Sequence, residues 1–404
     1  MEESAGRIGA RVRYWRERRK LPRQRFADMV GRSVSWLDKV ESGERELARL
    51  PVIERVADAL GIDPAVLTDD SRNQRARQCV DAGEVQAICS ALASYPGLAP
   101  ATSEEVDLIR IARQASYLDH AWGMSRFTVV AQNLPALMAE AYLATQTASA
   151  ADLVNAHRIL TTTYRLASSM LLKFESNDLA WLAADRAMYT AMSIDDAWSL
   201  ARATRSVARA MTSIRRQPQA IVALVAMADR MRDEVRANPA ELLALHGMLY
   251  LAASITAAGQ EDVALAGEMH DSALATARQY KPHYNDHHTF FGVTNTQIHR
   301  VAALVRLHQH GRALEFANHI SPRDVAALSA ERQSNYQLDL TEAHTGVGDY
   351  RQAVRALGKA EQVAPEEVRC RPLAHGLLRS LLNNTTGEPA RLVRQMAGRA
   401  GVEA

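Results

Sequence analysis

Apolar positions recur at helical spacing along most of the chain, and the breaks between them are sharp enough to place elements. Ile8, Val12 and Trp15 share one side of a segment reaching from Ile8 to Arg19, with arginines around the rest. That segment stops before Leu21-Pro22. Pro22 can open a second helix over "RQRFADMV", because a missing amide proton matters little in a first turn. Gly31 ends it, since glycine enters the left-handed conformation cheaply. Ser33 is a good N-cap for a third helix, "VSWLDKVE", whose Leu37 and Val40 face inward, and Ser42-Gly43 closes it. "LPVIERVADAL" follows and closes at Gly61, and "DPAVL" supplies a short fifth helix.

Beyond Leu67 the periodicity lapses. "TDDSRNQRARQCVDAG" is polar without a pattern, a short helix is expected near Glu84–Ser94, and "YPGLAPATSEE" breaks the chain before a Thr102 or Ser103 cap. The expected organisation is therefore a unit over 1–68, a linker over 69–103, and a long helical region over 104–404. Abundant alanine and only 5% aromatic residues favour closely packed helices over sheets, so the fold class is all-α. Cys79, Cys89 and Cys370 form neither a paired metal spacing nor an even-numbered disulfide framework, which fits a reducing cytoplasm. No signal peptide is expected at the start, and no run reads as a membrane span; a soluble cytoplasmic protein is the expectation.

The net charge of +2 conceals an asymmetry. Arg7 to Leu67 holds 14 Arg or Lys against 9 Asp or Glu, while Thr68 onward holds 34 against 35. A basic N-terminal unit suggests a polyanion partner, although a solvated basic face gives the same count.

Two short helices joined by a glycine turn can place a helix in the DNA major groove. The run from Phe26-Ala27 through Gly31 to Leu37 and "ESG" resembles the helix-turn-helix domain of the lambda-repressor-like (XRE) family. The resemblance implies a base-reading face on Ser33, Val34, Ser35 and Lys39, with Arg23 where the family usually has glutamine. Lys39 can donate to guanine O6 or N7, Val34 can meet a thymine methyl, and the serines can bond phosphates or base edges. Arg32 and Arg45 flank the third helix and suit phosphates. Arg23 can grip a phosphate or reach a guanine, which leaves the half-site sequence open. The alternative is a helical mini-domain that binds protein.

In the long helical region, "GDYRQAVRALGKAEQVAP" matches in type and spacing the second half of a tetratricopeptide repeat, with Ala353 and Ala360 at close helix contacts and Pro365 ending the helix. With Ala353 as marker, equivalents fall at Ala313, Ala264, Ala220 and Ala180, at intervals of 40, 49, 44 and 40 residues. These exceed the family's usual period of about 34, implying longer loops. A further helical pair is expected between Phe127 and Thr147, around Leu134-Pro135. The arrangement resembles actinomycete regulators that join a helix-turn-helix to tetratricopeptide repeats and, more distantly, the RRNPP peptide-sensing regulators. The fold implied is an N-terminal five-helix DNA-binding domain followed by an α-helical tetratricopeptide-like solenoid; a bundle with coincidental alanines is the plainer alternative.

In such repeats the inner face lies on the first helix of each pair, and counting back 18, 15 and 11 residues from each marker gives one helical stripe. The rows are Thr162, Arg165 and Ser169; Arg202, Arg205 and Arg209; His246, Leu249 and Ala253; Asn295, Ile298 and Ala302; and Asn335, Leu338 and Glu342. Basic rows followed by amides suit a peptide or small anionic ligand, with its carboxylate on the arginines and its backbone on Asn295 and Asn335. A charged stripe is equally what a solvated face looks like.

The cluster "HYNDHHTFFGVTNTQIHR" raises a metal site, but His283 lies in a loop and His287 and His288 point apart in an expected first helical turn. His299 lies three turns further along, so packing explains the histidines as well. "TFFGVTNTQIHR" is read as the first helix of a repeat, with His299 one turn beyond Asn295 near the ligand face. No phosphate loop, nucleophile elbow or HExxH occurs, and Asp195-Asp196 reads as a helix N-terminus, so neither an enzyme nor a cofactor or metal is expected. The function expected is a homodimeric regulator of double-stranded DNA whose solenoid senses a ligand. The alternative is a tetratricopeptide interaction protein that recruits a protein partner and uses DNA as a tether.

Overall fold

The computed structural model describes residues 2–77, 79–95, 106–236, 240–279 and 289–403. The chain divides into two compact units, Met1–Ile88 and Cys89–Ala404, and every regular element among the described residues is helical.

The first unit holds α1 (Glu2–Arg18), α2 (Arg23–Val30), α3 (Val34–Glu41), α4 (Leu50–Leu60), α5 (Pro64–Thr68) and α6 (Asp70–Arg77); α7 (Ala82–Ala93) begins in it. Pro22 serves as N-cap of α2 and not as its first helical residue. Gly31 ends α2 at φ 69°, where a side chain would be strained. Ser33 caps α3 by accepting from the Trp36 N–H at 3.2 Å. Val12, Trp15, Phe26, Leu37, Val40, Val56 and Leu67 are fully buried in one core. At Gly9 the helices α1 and α3 come so close that a Cβ would lie 1.9 Å from the Val40 carbonyl oxygen. Buried Arg16 clamps α1 to α3 through Glu41 at 2.6 and 3.0 Å. α6 forms where no periodicity announced a helix. It is held by polar bonds in place of an apolar stripe: the Trp15 indole donates to Asn73 at 3.1 Å and Arg11 pairs with Asp70.

The second unit is a series of antiparallel helical hairpins. They are α8 (Leu108–Gly123) with α9 (Phe127–Thr147), α10 (Leu153–Lys173) with α11 (Asn177–Met192), and α12 (Ala197–Ser213) with α13 (Gln217–Arg230). After the short α14 (Arg232–Arg236) come α15 (Ala240–Ala258) with α16 (Val263–Gln279), then α17 (Val293–Arg306) with α18 (His310–Ala317). The short α19 (Pro322–Ala326) precedes α20 (Ala330–Gly346) with α21 (Tyr350–Val363), and α22 (Pro365–Arg369), α23 (Pro372–Asn384) and α24 (Gly387–Ala400) complete the chain. Each second helix packs on its own first helix and on the next one. The first helices pack in sequence from α8 to α20, and α20 in turn touches α8, so the series closes on itself.

All six hairpins turn alike. Ser125, Glu175, Arg215, Glu261, His308 and Gly348 each have positive φ, and each second helix starts two residues later. Five residues after the turn stands Val130, Ala180, Ala220, Ala266, Ala313 or Ala353, every one fully buried. The marker in the fourth hairpin is therefore Ala266 and not Ala264, which is exposed. The expected pair around Leu134-Pro135 is one continuous helix, α9, whose partner is α8; Pro135 lies inside it. α17 begins at Val293, so "TFFG" precedes the helix. Contrary to the expectation that no run reads as a membrane span, α15 is long and apolar enough to cross a membrane, yet it packs against α12, α13, α16 and α17 and more than half of its apolar window is buried.

Candidate functional site

Two features carry chemistry, one in each unit. In the first, Ser33, Ser35 and Lys39 are exposed on α3, with Ser35 and Lys39 one turn apart on the same face. Ser33 uses an oxygen lone pair for its cap and keeps its hydroxyl proton free to donate. Val34 is half-buried against the core, so only part of it is presented. The Arg32 guanidinium lies 5.7 Å from the Trp36 ring centre, and both line a shallow depression with Asp28, Ser33 and Arg45. The Arg45 N–H donates to the Lys39 carbonyl at 2.8 Å, holding the exposed Arg45 beside the end of α3. Arg23 is half-exposed but leans on α3, with Asp38 at 3.3 Å and Glu41 at 3.6 Å.

The second feature is a partly enclosed cavity of about 480 Å³, ringed by α8, α10, α12, α15, α17 and α20. Arg165, Arg202, Arg205, Arg209, His299 and Asn335, expected at this face, line it; His246 and Asn295 do not. His246 was displaced by the two-residue slip of its marker. It packs edge-on against Tyr250, and burial lowers its pKa. From Ala266 the same offsets give Met248, Leu251 and Ile255, all on the cavity wall. Asn295 is fully buried behind the wall, its amide 3.7 Å from the Met248 sulfur. Asn335 reaches the cavity but is engaged: it donates to Glu331 at 3.0 Å and accepts from Arg371 at 2.9 Å. His283, His287 and His288 lie outside the described residues.

Cations outnumber anions around this space. Arg165, Lys173, Arg202, Arg205, Arg209, Arg306, Arg332 and Arg371 line it, against Asp119, Glu331 and Asp339. Asp119 serves both Arg165 and Arg202, the latter at 3.1 Å. Lys173 lies between Glu331 at 3.4 Å and Glu367, and Glu367 also holds Arg371. Among the described residues neither Arg205 nor Arg209 forms an ion pair, although Glu331 attracts Arg209 from further off, and the Arg205 Nε is buried without a hydrogen bond. Burial, reinforced by Arg332 and its neighbouring arginines, pushes Arg205 well below the usual guanidinium range. Burial likewise lowers Arg209 to about 10; its side chain is exposed to the cavity interior while protein surrounds that interior. Burial, with Arg332 nearby, holds the His299 imidazole neutral, its pKa about 3. Its Nδ1 bonds the Asn295 carbonyl at 2.8 Å, so Nδ1 carries the proton and Nε2 is an acceptor. Burial raises the Asp339 carboxyl to about 7, against the pull of Arg306.

Asp119 was legible after the fact: it stands six residues before the Ser125 turn, as Arg209 does before Arg215. Arg306 and Arg332 lie one turn beyond the stripes, and nothing in the sequence points to Arg371. Beside α12, the stretch of wall that α15 supplies is largely apolar, built by Met248, Leu251 and Ile255, with Ala302 following on α17. No group of three or more metal-ligating side chains occurs among the described residues.

Residues 7–69 match the family model of a helix-turn-helix domain. No curated protein and no solved structure matches the chain. The match and the α2–turn–α3 geometry make the N-terminal unit a helix-turn-helix domain, the signature of a DNA-binding regulator.

Proposed function

We propose that the chain is a sequence-specific transcriptional regulator that reads its operator with Ser33, Ser35 and Lys39 on α3 and senses an anionic ligand in the cavity of its hairpin unit. Arg32 and Arg45 hold the phosphates beside the reading helix. Arg23, tied to Asp38 and Glu41, orients α3 and reaches a phosphate only by leaving them. The observation that carries the sensing half is the pair of guanidiniums, Arg205 and Arg209, which form no ion pair in a cavity of small-molecule size where cations outnumber carboxylates. An uncompensated buried charge is costly to keep unless something charged completes it. Ligand control of a two-fold operator calls for a cytoplasmic homodimer with half-sites about one helical turn apart.

Lys39→Ala is expected to weaken operator binding by about 1–3 kcal/mol while leaving nonspecific binding nearly unchanged, read by salt titration on cognate and random DNA. Equal loss on both DNAs would remove Lys39 from base reading. A double Arg205→Gln, Arg209→Gln variant should bind the operator normally and ignore cell extract that shifts the wild type; an undiminished shift refutes the sensing role.

A further inference from the structure

Which anion fits is decided by what the rest of the wall offers beside the arginines. An extended peptide brings an amide donor and a carbonyl acceptor with every residue, and each needs a partner when buried. The two amides expected to supply them are spent, and Thr212, Ser213 and Thr256 donate to their own helices, so few wall hydroxyls, chiefly Ser169, Ser206 and Tyr336, remain for an extended chain. Asn295 sits behind the wall against Met248, and Asn335 is taken up by Glu331 and Arg371. Next to α12, Met248, Leu251 and Ile255 of α15 and Ala302 of α17 offer only hydrocarbon and sulfur. The space is also closed lengthwise, since the first and last hairpins meet. Thr128 donates from its N–H and hydroxyl to Glu366 at 2.8 and 3.0 Å, and Ser125 donates to Glu367 at 2.9 Å.

We infer that the ligand is a small amphiphilic anion, a phosphate or carboxylate head seated on Arg205 and Arg209 with an unbranched or cyclic apolar body lying against Met248, Leu251 and Ile255. This rests on the sensing role proposed above and narrows its ligand from any anion, peptides included, to one class. Neutral His299 contributes an acceptor for a hydroxyl or amide on the body and carries no charge of its own. The head gains from two guanidiniums that form no ion pair of their own, where charge-assisted bonds are strong. The body gains by leaving water.

The test titrates octyl phosphate, octanoate, octanol, inorganic phosphate and an acidic hexapeptide into the full chain, by calorimetry and thermal shift. One or both octyl anions should bind more than about tenfold tighter than octanol and inorganic phosphate, and the better of the two identifies the head. Arg205→Gln should raise the melting temperature of the unliganded chain and abolish the ligand-induced rise, a combination that a purely structural arginine does not give. Ile255→Thr should weaken octyl phosphate and leave inorganic phosphate unchanged. Binding of the hexapeptide in preference to both octyl anions overturns this inference while leaving a sensing cavity. Inorganic phosphate binding as tightly as octyl phosphate overturns the apolar half. No binding by any anion overturns this inference and the sensing role together.

Discussion

A guanidinium is ordinarily among the most firmly charged groups in a protein, and Arg205 and Arg209 show what placing several together does. Water leaves, neighbouring positive charges remain, and the protonated form is held at a cost that an anion can relieve. Asp339, which reaches the same cavity from α20, is shifted the other way. Its carboxyl is raised to about 7, chiefly by burial, so the folded chain keeps a proton that the unfolded chain has released above the ordinary aspartate range. Stability contributed by this group therefore falls as pH rises from about 4 towards 7 and stays lost above that. Asp339→Asn should raise the melting temperature by a few degrees at pH 8 and hardly at all at pH 4.5. A gain of equal size at both pH values would show that the carboxylate is not disfavoured there.

At the scale of the element, the recurring device is a left-handed residue at each hairpin turn. Only Gly348 is a glycine; Ser125, Glu175, Arg215, Glu261 and His308 hold the same conformation with a side chain. That conformation costs a side-chain-bearing residue about 1 kcal/mol or more. Glu261→Gly should therefore stabilise the hairpin unit by up to about 1 kcal/mol, reduced by glycine's freedom in the unfolded chain. A denaturation midpoint that falls would mean that Glu261 makes up the strain elsewhere. The same turns explain why register slipped in the sequence. "VALAGE" offers alanines two apart, and only the distance from Glu261 selects Ala266, whose carbonyl accepts from the Ser254 hydroxyl at 2.7 Å. Pro135 misled for a related reason: tight packing of Leu134, Leu137 and Met138 keeps α9 continuous across it.

Over the whole second unit, the decisive event is closure of the hairpin series. Glu367 is fully buried where the ends meet, bonded to Ser125 and paired with Lys173 and Arg371, while Lys173 also lies 4.8 Å from Trp122 and 4.6 Å from Phe127. Removing one member of such a buried cluster strands the others. Glu367→Ala is expected to cost about 3–5 kcal/mol and to speed hydrogen exchange first at the α8–α9 turn and α22. Adding Lys173→Met should recover part of the loss, since an unpaired ammonium is then gone. Uniform exchange across the hairpins would show that the closure is not a separate unit of stability.

The sequence by itself determined the first five helices of the helix-turn-helix unit and the residues exposed on its third helix, because caps, glycine stops and a 3.6-residue apolar rhythm are local signals, whereas α6 has none of these. It also placed Arg165, Arg202, Arg205 and Arg209 on one face, since a helical stripe needs only a correct register. Tertiary structure alone decided that the face encloses a cavity, that Asp119 pairs with two arginines while Arg205 and Arg209 form no ion pair, and that Asn295 turns behind the wall while Arg332, Arg371 and Asp339 turn into the space. Those outcomes depend on residues hundreds of positions apart being brought together by closure, and on which water each side chain loses, neither of which has a local trace in the chain.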